Sequence, residues 1–257
     1  MSTDPLAAAP HPALGGLLIA ALGLYVLAAL VTLVRPGAGR PVLGAALLAH
    51  ASAMVGRGLV VDWLPMGRMD SFATAAAAFA LVALLSWRPR RAEILLMLGV
   101  VIATLGVALA FPQDLRYAPP ILRTVWYPLH VPSSFVCYGL WFAAGAAGVQ
   151  WWMDRDPTTL RRMDQLALVG FGLWTVSMVF GGIWGAVAWG AWFLWDPKFI
   201  WSVILWFHYV SLLHLRLTPS LFEAHRLRVA LTWLGCAWVL VAWVGTSFFF
   251  GKSTHAF

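Results

Sequence analysis

Eight apolar stretches govern what this chain of 257 residues can become. They fall near 13–34, 42–61, 71–87, 93–111, 132–153, 165–182, 198–215 and 229–250. Each is long enough to cross about 30 Å of hydrocarbon as an α-helix of about 20 residues. A water-soluble fold has too little interior to hide them. Apolar and aromatic residues make up 61% of the chain and charged residues 11%, where a soluble domain carries about a quarter charged. Soluble globular, disordered and fibrous classes are excluded. The expected class is an all-α integral membrane protein of about eight transmembrane helices, forming a single membrane-embedded domain over 1–257. The first stretch is too long for a signal-peptide core and has only Asp4 as a charge before it, so it reads as a retained span.

The loops set the orientation. Arg35 and Arg40, then Arg88, Arg90 and Arg91, then Arg155, Arg161 and Arg162, and finally Arg216, Arg226 and Arg228 lie in alternate loops, 11 of the 17 basic residues. The positive-inside rule makes that side cytoplasmic. Both termini, the loop at 112–131 and a tryptophan-rich segment at about 182–198 then face outward. The net charge of +7 would suggest nucleic acid in a soluble protein. Here it reads as an orientation signal toward the lipid bilayer, with no nucleic-acid role. Cys137 and Cys236 both sit inside apolar runs, which excludes a disulfide framework and a Cys-rich metal site. The acids are scattered through loops, none in mid-span, which weighs against a proton-coupled transporter.

Histidine carries the remaining chemistry. His11 and His225 sit in a tail and a loop and read as solvated. His130 closes the outward 112–131 loop and His255 follows the last span, so both approach the outer surface, with Trp184, Trp189, Trp192 and Trp195 between them in sequence. Two imidazoles beside a lid of flat aromatic rings suit a haem, with an axial nitrogen from each face. The alternative is that each merely sits at the headgroup boundary, bonded to water or lipid. His50 lies about 12 Å from the cytoplasmic end of its span, and His214 lies toward the same side, so the two form a membrane-depth pair. His208 is about 240° round the helix from His214 and reads as a hydrogen-bonded packing residue. A short surface helix over 186–195 would put Trp189, Trp192, Phe193 and Asp196 on one face. Asp196-Pro197 caps the seventh span, and Gly182, Gly185 and Gly190 leave room for a flat ligand at the backbone.

The run Trp184-x4-Trp189-Gly190-x4-Trp195-Asp196-Pro197-Lys198-x2-Trp201 resembles the tryptophan-rich WWD signature of haem-handling proteins of cytochrome c maturation. Its continuation to Leu213-His214-Leu215-Arg216 is similar to the CcsA/ResC branch (system II), as are His130, the histidine after the last span, and the Arg57-to-Pro65 stretch. The resemblance implies a CcsA-like subunit of a cytochrome c synthase (haem lyase) in the bacterial cytoplasmic (inner) membrane. Haem b would meet a transmembrane site at His214, with His50 opposite it by depth. It would then reach an external, periplasmic site at His130 and His255, beside the Trp184–Asp196 segment. There the thiols of a Cys-x-x-Cys-His apocytochrome c would form thioethers, with a ResB/CcsB-type membrane partner present. The catalytic set so implied is His130, His255 and Asp196. Ala186-Val187, Trp192-Phe193 and Phe199 depart from the residues usual in that branch. Two other readings stand beside it: a CcmC-like haem-loading protein, with which His130-Val131-Pro132 is shared, and a bis-His haem b electron-transfer subunit.

Overall fold

The computed structural model describes residues 8, 11–35, 37–86 and 89–246. Each apolar stretch becomes a helix: α1 (Pro12–Val34), α2 (Gly39–Val61), α3 (Arg68–Leu85), α4 (Arg91–Leu109), α5 (Trp126–Asp154), α6 (Pro157–Trp189), α7 (Pro197–His214) and, after the short α8 (Pro219–Glu223), α9 (His225–Leu240). A π-helical turn, Val241–Gly245, continues α9. No strand occurs among the described residues. Helix is the expected outcome in lipid, where every backbone N–H and C=O must be paired within the protein.

Seven of these helices are long and apolar enough to span a membrane. The chain is a multi-pass membrane protein. The helix outside that set is α5, whose 29 residues rise about 43 Å. Length is therefore sufficient, and its Ser, Gly, Gln and Trp content is what dilutes its apolar character. Side chains facing away from the protein support a lipid solvent: Ile19, Leu30, Leu48, Val55 and Leu59 are all more than half exposed, yet none is polar.

The helices gather into two compact units that divide at Pro128–Leu129. In the first, α1 packs on α2, α2 on α3, α3 on α4 and α4 back on α1, closing a four-helix bundle. Small residues permit the close approach of α3, whose Ala73, Ala75, Ala76, Ala80 and Ala83 are buried, as expected where dispersion rather than water drives helix association. In the second, α7 packs on α6 and α9, while α5 meets α6, α7 and α9 through its aromatic and glycine positions. Trp141 of α5 stacks on Tyr209 of α7 at 3.8 Å and 5°, and its indole N–H donates to the carbonyl of Ala167 in α6 (3.4 Å). Gly145 of α5 leaves the space that Cys236 of α9 occupies.

Three expectations are corrected here. Helix α5 starts at Trp126 rather than near 132, so His130 lies inside it and not at the end of a loop. Neither proline stops it: Pro128 falls in the first turn, where the missing N–H had no intrahelical partner, and Pro132 costs one rung of the ladder. No surface helix forms over 186–195. Helix α6 runs 33 residues, through Trp184 to Trp189, and ends at Gly190 with φ +73°. That left-handed turn suits glycine, which carries no Cβ to clash. Thirty-three residues rise about 50 Å, against about 30 Å of hydrocarbon. Last, the acids are not all in loops. Asp70 and Glu93 are buried in the first turns of α3 and α4.

Candidate functional site

A polar arrangement in the second unit surrounds His130. Its Nδ1–H donates to the backbone carbonyl of Ser177 on α6 at 2.8 Å. The Ser177 hydroxyl lies 2.8 Å from the Ser134 hydroxyl and 3.0 Å from that of Ser133, and it donates to the carbonyl of His130 at 3.1 Å. Ser134 donates to the same carbonyl at 2.8 Å. These serines sit one helical turn beyond His130, so their hydroxyls fold back along α5 while Ser177 meets them from α6.

Aromatic rings flank the other side. The Trp184 ring is 6.1 Å from the His130 ring at 38°, and Trp189 is 5.0 Å from Trp184 at 58°. The structure thus sets Trp184 beside His130 and Trp189 beside Trp184. Trp192 is 66% exposed and Trp195 is 88% exposed, leaving two flat apolar faces at the surface just after the helix end. Asp196 is buried and caps α7 by accepting from the backbone N–H of Lys198 at 2.9 Å, the expected N-cap with Pro197 following it.

The expected use of the glycines is overturned. Gly182 is covered by the Trp192 ring, and a Cβ on Gly185 would sit 2.9 Å from the Ala191 carbonyl. Gly190 is a helix terminator. The first two therefore admit the returning chain, not a flat ligand. The glycine that faces the histidine is Gly181, where a Cβ would lie 2.7–3.1 Å from three atoms of the His130 ring.

The other histidines are placed as follows. His208 donates from Nε2–H to the Leu231 carbonyl at 2.9 Å, the packing role expected, since a carbonyl can only accept. His214, the last residue of α7, is exposed, and its Nδ1–H donates to Val210 of its own helix at 2.6 Å. His50 is fully buried in α2 of the first unit. Its Nδ1 is 3.2 Å from the Tyr25 hydroxyl, and the Tyr25 ring meets it edge-on at 5.9 Å. Its Nε2 has no hydrogen-bond partner among the described residues. His255 lies outside the described residues.

Sequence reasoning missed Ser177, Gly181, Tyr25 and a buried ion pair. Arg57, in the last turns of α2, donates from Nε to Asp70 Oδ1 on α3 at 2.7 Å, both side chains almost wholly buried. Its Nη1 reaches the Gln113 carbonyl at 3.3 Å. The available signal was an arginine four residues from the end of an apolar run with an acid opening the next one.

A haem brings four pyrrole nitrogens and asks the protein for one or two axial donors, apolar surface for its faces and polar groups at its edge. Among the described residues no three of His, Cys, Asp or Glu gather as a bare ion would need. Single imidazoles do occur whose Nδ1 is held by a backbone carbonyl, at His130 and His214, and His130 has the Trp184 indole beside it. The donor set fits haem better than a bare ion.

Comparison with known proteins adds the lineage. Residues 17–252 match the family described as cytochrome C assembly protein. The CcsA cytochrome c biogenesis protein of Gloeobacter violaceus is 28% identical over 233 residues, covering 89% of this chain and 64% of that protein. CcsA of Prochlorococcus marinus (strain MIT 9515) is 27% identical over 210 residues, covering 63% and 64%. The chain thus matches just under two thirds of the length of these curated relatives. Among solved structures, the cytochrome c haem lyase CcmF superposes with a TM-score of 0.72 at 20% identity, over 91% of this chain and 47% of that one. That likeness concerns the fold.

Proposed function

The chain belongs to the cytochrome C assembly protein family, and from that premise we propose that it carries haem b and presents it for attachment to apocytochrome c, as the CcsA-like subunit of a system II synthase. The observation that supports this most is His130. Its Nδ1 is held by a carbonyl, which leaves Nε2 as the donor nitrogen, with Trp184 alongside and Trp189 behind Trp184. His130 and His255 are the external axial ligands. His214, in the second unit, and His50, in the first, are each a proposed haem donor. Trp192 and Trp195 supply exposed faces near the attachment side, and Asp196 holds the return of the WWD segment into α7.

The covalent chemistry belongs to the client. Each cysteine S–H of a Cys-x-x-Cys-His segment adds across a haem vinyl group, sulfur to one carbon and hydrogen to the other, with nothing leaving. This protein orients the macrocycle, holds the iron axially and excludes oxidants from it. Orientation alone is worth much of such a barrier. The Trp-rich side and both termini are periplasmic, the arginine-rich loops cytoplasmic, and a ResB/CcsB-type membrane protein completes the complex.

The test is the visible spectrum of the detergent-purified chain, oxidised and then dithionite-reduced, alone and with a ResB-like partner. A low-spin b-type spectrum that His130→Ala abolishes or converts to high spin, and whose amplitude falls in His214→Ala, is the expected result. Trp189→Ala and Trp192→Ala should weaken haem retention without loss of the helical circular dichroism. No haem in either preparation would overturn the proposal.

A further inference from the structure

The environment of His130 reaches beyond its identity as a ligand. A neutral imidazole has one N–H and one lone pair, and which nitrogen holds the proton is set by the partner each meets. The nearest partner at Nδ1 is the carbonyl of Ser177 at 2.8 Å, which can only accept; the Ser177 hydroxyl is farther, at 3.3 Å, and its proton goes to the His130 carbonyl at 3.1 Å. A lone pair on Nδ1 would face a lone pair of the Ser177 carbonyl at 2.8 Å. The proton therefore resides on Nδ1, and Nε2 carries the free pair. A backbone carbonyl on the far nitrogen is a recurrent way of orienting a metal-bound imidazole and raising its basicity.

That bond needs room. A helical carbonyl is flanked by the side chain four residues on, and residue 181 stands four beyond Ser177. It is glycine, and a Cβ there would lie 2.7 Å from Cε1, 2.8 Å from Nδ1 and 3.1 Å from Nε2 of His130. All three values are below ordinary contact. An alanine at 181 would push the ring off the carbonyl, and neither neighbour could yield cheaply, since one is helix backbone and the other a ring held on α5. The hydroxyls of Ser133, Ser134 and Ser177 tie the α5 backbone at His130 to α6 at the same level, so the His130 Cα cannot simply retreat.

We propose that Gly181 and the Ser177 carbonyl are positioning elements that lock His130 into the Nδ1–H tautomer, presenting Nε2 to the iron of an axially bound haem. This rests on the reading of His130 as a haem ligand. Gly181 acts through the histidine and touches neither haem nor client.

Two measurements on the full chain test it. The first needs no haem: the protein labelled with 15N-histidine, with His130→Ala used to assign the resonance, reports the tautomer by NMR. The proton on Nδ1 in the wild type supports the inference, and a proton on Nε2 overturns it. Ser177→Ala keeps the backbone carbonyl and should keep the Nδ1–H form, so a tautomer switch in that variant would also count against it. The second is the haem spectrum of Gly181→Ala. The low-spin signature should fall at least several-fold and return on addition of millimolar imidazole, as expected when an axial donor is misplaced but its pocket persists. An unchanged spectrum in Gly181→Ala beside a spectrum lost in His130→Ala overturns the positioning role alone. An unchanged spectrum in both variants overturns the ligand reading and this inference with it.

Discussion

Removing the guanidinium of Arg57 gives the sharpest stability test. Arg57 and Asp70 are buried to within 2% in the first unit and meet at 2.7 Å through Nε and Oδ1. Arg57 makes one further bond, Nη1 to the Gln113 carbonyl at 3.3 Å, while Nη2 is buried without a partner. The cation is thus incompletely satisfied. Breaking a buried pair from one side strands the other charge and costs about 3–5 kcal/mol. Arg57→Met should fall near the lower end, because a stranded carboxyl can take up a proton and become neutral. Asp70→Leu should fall near the upper end, because a guanidinium cannot shed one. The double variant Arg57→Met/Asp70→Leu leaves no buried charge. It loses only the bond to the Gln113 carbonyl, worth about 1 kcal/mol, and should lie within roughly that of wild type. The resulting coupling is at least about 5 kcal/mol, more than a thousandfold in the unfolding equilibrium. Reversible unfolding in SDS and dodecyl maltoside mixed micelles, followed by circular dichroism, reads all four corners of the cycle. A double variant as damaged as the sum of the singles would refute the reasoning, as would either single within 1 kcal/mol of wild type.

Two further substitutions probe the second unit by the same titration. The Tyr209 hydroxyl is fully buried, has no hydrogen-bond partner and lies against Gly235, whereas its ring stacks on Trp141. Tyr209→Phe keeps the stack and should be neutral or stabilising by up to about 1–2 kcal/mol; a loss above about 1 kcal/mol would mean that the hydroxyl is engaged. Gly190→Ala should cost about 1 kcal/mol purely through the left-handed backbone at φ +73°, since no neighbour lies within 4 Å of the added methyl. No measurable cost would mean that α6 does not end there.

What was legible in the sequence was whatever lipid dictates one segment at a time. Each of the eight apolar stretches became a helix because backbone pairing in hydrocarbon leaves little alternative. Asp196 could be read as a cap and His208 as a packing residue for a similar reason: a capping carboxylate answers to its own helix start, and an imidazole off the shared face must find some buried acceptor. Where local rules competed, the reading slipped. Pro132 looked like the start of a helix because interior prolines are costly, yet losing one rung is minor against the burial of Phe135, Tyr138 and Trp141 along the same helix. The spacing of Trp189, Trp192, Phe193 and Asp196 looked helical in isolation, but Gly190 sat in the middle of it and ended α6 instead.

What could not be read was the rotation of one helix against another. Gly181, Gly182, Gly185 and Gly190 are equivalent as letters, and successive residues turn about 100° round the axis. That turn sends Gly181 to the His130 ring and Gly182 to Trp192 one residue later. The choice depends on how α6 is rotated against α5, which the serine cluster fixes through contacts 43 to 47 residues apart in sequence. No pattern within either helix encodes such a contact. The same holds for Arg57 and Asp70, whose partnership requires the end of α2 and the start of α3 to face each other. The sequence could therefore nominate His130 by its type and its place near the outer surface. The feature that would make it a ligand, a lone pair left on one particular nitrogen, is a property of two helices together.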